Sequence, residues 1–102
     1  MLQPISISAI ASVSAFGAST AKVWQRYKDG MPLFSEIDGT LVSKVTTEIE
    51  TELQSLQQQN DRYKNLDRSV VLAILAARNA LKSVSNLKHS SVGINIGSSR
   101  GA

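Results

Sequence analysis

Ile5-Ser6-Ile7-Ser8-Ala9-Ile10-Ala11-Ser12-Val13-Ser14 is the stretch whose reading decides the fold. Small and β-branched residues dominate it, and every one of them tolerates burial. That is the pattern of a central strand covered on both faces. Residues 1–21 carry no charged side chain, and the first charge is Lys22. A signal peptide is the rival reading. It calls for a basic start and a compact apolar core. Met1-Leu2-Gln3-Pro4 has no basic side chain, and serines interrupt the apolar residues at Ser6, Ser8, Ser12 and Ser14. The same serines make a membrane span a poor fit. A buried strand is the preferred reading.

Working outward, Gly17 supplies a turn, and Ser19 or Thr20 is placed to cap a helix by accepting a backbone N–H bond. Val23, Trp24 and Tyr27 fall at helical spacing and give this helix one apolar face, with Lys22, Arg26 and Lys28 on the other side. Trp24 on that face reads as core and not as a ligand platform. Gly30 ends the helix and Pro32 opposes its continuation. Asp38-Gly39 is a turn signal between Leu33-Phe34 and Leu41-Val42, with irregular or short extended structure expected around it.

Thr46 and Thr47 precede Glu48, Glu50 and Glu52, and acidic residues suit the positive end of a helix. Ile49, Leu53 and Leu56 mark its apolar stripe. The three glutamates read as a solvated helix start and not as a metal site. Residues 60–66 form a polar connection. Asp67 then looks like the N-cap of the strongest helix in the chain, residues 68–83. Val71, Leu72, Leu75, Ala76 and Leu81 dominate it, and so much apolar surface implies burial on most sides. Residues 86–91 read as a turn. Val92-Gly93-Ile94-Asn95-Ile96-Gly97 reads as a second central strand, leaving through Ser98-Ser99-Arg100-Gly101-Ala102. Strand, helix, irregular segment, helices, strand is an α/β arrangement with crossover helices in a parallel or mixed sheet. There is no internal repeat, and the 102 residues make one small domain at most.

Composition bounds the chemistry. The hydrophobic share of 42% with 19% charged residues gives no case for disorder. The net charge is +3, but basic residues such as Lys44, Arg62 and Arg78 are scattered among acidic ones. Nucleic-acid binding asks for a clustered basic face, so it is disfavoured. With no cysteine, a disulfide scaffold, a Cys-based zinc site and a cysteine nucleophile are excluded within the chain. The lone His89 sits between Lys88 and Ser90 and reads as a solvated loop residue. The loop from Gly97 to Gly101 lacks the spacing and the Lys-Ser/Thr ending of a phosphate-binding P-loop.

Four pieces together resemble the β-ketoacyl synthases of the thiolase superfamily. They are the residue 5–17 strand and turn, the Trp24 helix closing on Gly30, Leu66-Asp67-Arg68 leading into an alanine-rich helix, and Val92-Gly93-Ile94-Asn95-Ile96-Gly97-Ser98. The resemblance covers nearly the whole chain, but only the N-terminal segment of a family member. No complete domain boundary is visible within residues 1–102. It implies the first part of a layered α-β-α-β-α fold, an enzyme dimeric when complete, and a cytoplasmic location. The implied reaction condenses an acyl thioester with malonyl on acyl carrier protein, in fatty-acid or polyketide and polyene synthesis. It calls for no cofactor and no metal, and for no nucleic acid or membrane as partner. The partners are acyl carrier protein and the remainder of the synthase. The family holds the acyl group on a cysteine and uses two histidines, all beyond the matched segment. No catalytic residue is therefore assigned, and the chain alone is expected to be inactive.

The loop after the glycine-serine strand lies near the acyl pocket in that family. Ser99 and Arg100 are accordingly the candidate substrate-binding residues. Arg100 has two readings: a structural arginine bonding loop carbonyls, which is preferred, or one that shapes the acyl pocket. Two other functions compete with the synthase segment: a truncated, non-catalytic relative that packs against a partner, and a small exported domain with a cleaved signal.

Overall fold

The computed structural model describes residues 3–85, 87 and 91–99. The described order is α1 (Thr20–Asp29), β1 (Ser35–Ile37), β2 (Thr40–Val42), α2 (Thr47–Gln59), a 3-10 turn at Asp61–Tyr63, and α3 (Arg68–Leu81). This is a mixed helix and strand domain.

The core is a helical hairpin. In α2, Ile49, Leu53 and Leu56 recur at steps of four and three, so they line one face. Thr46 starts the helix by accepting the Ile49 N–H at 3.3 Å. In α3 the matching face carries Val71 and Leu75. These five side chains are the buried hydrophobic core, with Leu72, Ile74, Val45 and Tyr63 partly buried around them. The connection holds its own bonds: Asn60 Oδ1 accepts from the Arg62 N–H at 3.0 Å. Asp67 then caps α3, its carboxylate accepting the Ser69 N–H at 2.8 Å. The Ser69 hydroxyl donates to the same carboxylate oxygen, and this bond first, then the backbone one, lowers the Asp67 pKa, with desolvation opposing them.

Burial on α3 is narrower than its composition implies. Val71 and Leu75 alone are fully buried, and Leu81 is exposed. Ala73 and Ala77 are exposed, and Ala76 and Ala80 are only partly buried.

The helix α1 runs as expected and ends at Gly30, whose φ of 65° is left-handed and whose N–H bonds the Arg26 carbonyl at 3.3 Å. A residue with a Cβ is strained there. Its start differs from expectation: Ser19 occupies the N-cap position without a side-chain cap bond. Its packing differs too. Trp24 is 61% exposed and Tyr27 is exposed beside it, so this face is not core. Phe16 meets Tyr27 edge-on at 5.0 Å between ring centroids. Lys22 reaches Glu48 of α2 at 3.7 Å.

Asp38 and Gly39 make a tight turn with φ of 49° and 78°. Two positive φ values in succession fit the right-handed twist of a hairpin. The flanks pair antiparallel, with Glu36 opposite Leu41. This ribbon is the sheet of the described residues.

The two expected central strands are not formed. Residues 5–13 and 92–98 have no strand assignment. None of residues 5–12 or 92–97 carries a backbone hydrogen bond among the described residues. Ile5 is 98% exposed, and Ile7 and Ile94 are 83% exposed. A β-strand exists only through a ladder with a neighbour, and among the described residues neither segment has one. The parallel or mixed sheet is accordingly replaced by the small β1–β2 ribbon. Of the first segment, the end does engage: Val13 is partly buried against the core. Ser14 and Gly17 form a short antiparallel bridge.

Candidate functional site

The groove between α2 and α3 is lined by Glu52 and Gln59 on one wall and by Arg78, Asn79 and Lys82 on the other, with a volume of 370 Å³. The Arg78 guanidinium is held in place. One nitrogen donates to Gln59 Oε1 at 2.9 Å, and another to the Tyr63 hydroxyl at 3.4 Å. Its carbon lies 5.7 Å from the Tyr63 ring centroid, a cation–π arrangement. The donors of Arg78 thus serve to tie α3 to the end of α2.

A second polar cluster joins the other end of the hairpin. Arg68, at the start of α3, donates through both terminal nitrogens to both carboxylate oxygens of Glu50. This is a two-point contact, which fixes orientation as well as attraction. Glu50 was read from sequence as part of a solvated helix start; in the fold it is the anchor for Arg68. The hollow beside the pair is bordered by Ile37, Val45 and Leu72. Neither pair is visible in sequence, because the partners lie 18 and 19 residues apart.

The third feature is apolar. Ile10, Ala11 and Ser12 run past Val23, Trp24 and Tyr27 of α1 and leave a groove of 290 Å³. Lys28 sits over the Trp24 ring at 5.7 Å.

The candidate acyl-pocket loop is not gathered into any of these. Ser99 is exposed at the end of residues 92–99, which have no strand assignment. Arg100 lies outside the described residues, as do His89 and Gly101. Among the described residues, no three His, Cys, Asp or Glu side chains come together as a metal would require. No described helix is long and apolar enough to cross a membrane. Glu48 and Glu50 are engaged with Lys22 and Arg68 respectively. The arrangement consists of two polar clamps that hold a hairpin, and of apolar segments exposed to solvent.

Comparison with family models, curated proteins and solved structures gives no match for this chain.

Proposed function

We propose that the chain is the N-terminal portion of a β-ketoacyl-[acyl-carrier-protein] synthase that condenses an acyl thioester with malonyl-acyl carrier protein. The observation that supports it most is the contrast between a formed hairpin and two apolar segments left open. The branched residues of 5–10 and 92–96 are the ones that resemble the family's buried strands, and here they face solvent. Exposed side chains of that kind call for further polypeptide to cover them. The rest of the thiolase-like fold is the cover that this reading supplies.

On this reading the 102 residues do no chemistry alone. A thiolate is the family's nucleophile, and no cysteine is present. Incubated with acyl- and malonyl-acyl carrier protein, the isolated chain releases no carbon dioxide above blank; robust release refutes the proposal. A reading frame that continues past Ala102 into a cysteine and then two histidines supports it, and one that ends or continues without them favours the non-catalytic relative. In that second reading the same open segments serve a partner protein. Ser99 and Arg100 remain the proposed acyl-pocket loop. In the complete synthase, Arg100→Ala that shifts chain preference without loss of stability supports the pocket role. Lost stability with unchanged preference makes Arg100 structural. The proposed location is the cytoplasm, with acyl carrier protein as partner and a dimer as the complete enzyme.

A further inference from the structure

The helix α1 is joined to the fold differently from α2 and α3. Among the described residues it adds no side chain to the buried core or to those packed around it. Val23 is partly buried, and the other nine residues of Thr20–Asp29 are exposed. Its polar tie to the hairpin is Lys22 to Glu48 at 3.7 Å, with both side chains mostly exposed. A surface pair of that kind contributes little.

Nor does α1 have the means to stand alone. It has ten residues, and isolated helices shorter than about 12–15 residues are marginal in water. Ser19 gives it no side-chain cap, and its first turn has no acidic residue, so two of the usual supports of a helix start are missing. The bond from Gln25 to Asp29 and the Lys28–Trp24 contact lie inside the helix, and they exist only while it is formed.

The other support comes from the turn just before it. Phe16 meets Tyr27 edge-on at 5.0 Å. That turn is closed by the Ser14–Gly17 bridge and by the Phe16 N–H, which donates to Ser14 Oγ at 3.1 Å. Turn and helix thus hold each other. Their footing on the core is Val13 and Ala18, both partly buried against it. Upstream, residues 5–12 carry no backbone hydrogen bond among the described residues, so no ladder there has to break first.

We infer that residues 13–29 form a strap. They leave the α2–α3 hairpin as one unit, α1 melts when they do, and the hairpin stays folded. Openings that break few apolar contacts lie well below global unfolding in free energy. Here the footing is two small side chains, while the hairpin keeps all five buried residues of the core. Release uncovers the part of the core that Val13 and Ala18 cover. The inference does not rest on the synthase reading, since it concerns contacts within the 102 residues alone.

The test is residue-resolved amide hydrogen exchange on the 102-residue chain. The amides of residues 24–29 are expected to be protected relative to an unstructured peptide. They should nevertheless exchange roughly tenfold or more faster than those of residues 53–56 and 72–75. Two variants loosen the strap by different routes. Lys22→Glu sets a like charge against Glu48. Val13→Asp puts a carboxylate where an apolar side chain meets the core. Both are expected to speed exchange at residues 24–29 and to leave residues 53–56 and 72–75 unchanged, with the larger effect from Val13→Asp. Equal protection of all three helices in the parent chain overturns the inference. So does a parent chain with no protection at residues 24–29, and so does a variant that speeds all three helices together. Unchanged exchange at residues 24–29 in both variants overturns it as well.

Discussion

The α2–α3 hairpin and the segments at 5–13 and 92–98 are built from the same kinds of apolar residue, and they end in opposite states. Ile49 and Val71 are buried almost completely; Ile5 and Ile94 are almost fully exposed. The difference lies in where backbone hydrogen bonds come from. A helix satisfies its interior N–H and C=O groups within itself, so its apolar stripe needs only one matching stripe. Here that stripe is close in sequence and is brought up by a short connection at residues 60–67. A strand satisfies none of its ladder within itself. Its apolar residues are buried only when another strand has arrived, and loop-closure entropy must be met first. Apolar composition is thus a necessary condition for burial, and the reach of the hydrogen bond decides whether it happens.

The largest effect is expected from breaking the hairpin. Leu53→Ala removes a buried side chain from a five-residue core, at a cost of about 2–5 kcal/mol. In a chain with so small a core, helical circular dichroism at 222 nm should collapse at 25 °C. A cooperative transition retained above 50 °C would show that the flanking segments carry stability.

Next comes the cap. Asp67→Ala leaves the Ser69 N–H without its acceptor, and a lower melting temperature is expected, by less than for Leu53→Ala. The folded Asp67 pKa lies below its ordinary value of 3.8. A depressed acid stabilises the fold above its unfolded pKa, and that contribution is lost as the pH falls through the folded value. Thermal melts between pH 6 and pH 2 should show a loss beginning near pH 4 that Asp67→Asn abolishes. An unchanged pH profile in Asp67→Asn would remove the cap from the account.

The Glu50–Arg68 pair is partly exposed, so Glu50→Gln should cost only about 0.2–1 kcal/mol. The difference from the parent should shrink in 1 M salt, read by urea titration. A cost that is indifferent to salt points to packing in place of charge.

The smallest effect is expected outside the hairpin. Ile94→Ser exchanges an exposed side chain for a polar one, and its change in hairpin stability should stay within about 0.5 kcal/mol. A larger loss would mean that residues 92–97 pack on the core in solution and would erase the contrast between the two regions.

Much of the hairpin was legible in the residues. The spacing of Ile49, Leu53 and Leu56, the acidic first turn of α2, the Asp67 cap and Gly30 each have a local cause, and each appears where it was read. Asp38-Gly39 likewise announces its turn. The failures share one feature. Burial of Trp24, burial on most sides of α3, and the strands at 5–14 and 92–97 were all inferred from side-chain character, and all depend on a distant neighbour. Of the candidate site, the sequence marks Ser99 and Arg100 only through a family resemblance, and Ser99 alone is described, exposed and outside the three grooves described above.

By itself the sequence determined the helices, the Asp67 cap, the Gly30 end of α1 and the tight turn, because those rest on interactions spanning two to four residues. The tertiary structure alone decided that Glu50 receives Arg68 and that Arg78 is held by Gln59 and Tyr63, since the connection between the helices sets which residues meet. It also decided which apolar residues are core. An isoleucine carries the same driving force in α2 as at position 5. That force is realised only where the chain folds back far enough to exclude water, and residues 60–67 do this for α2 and α3.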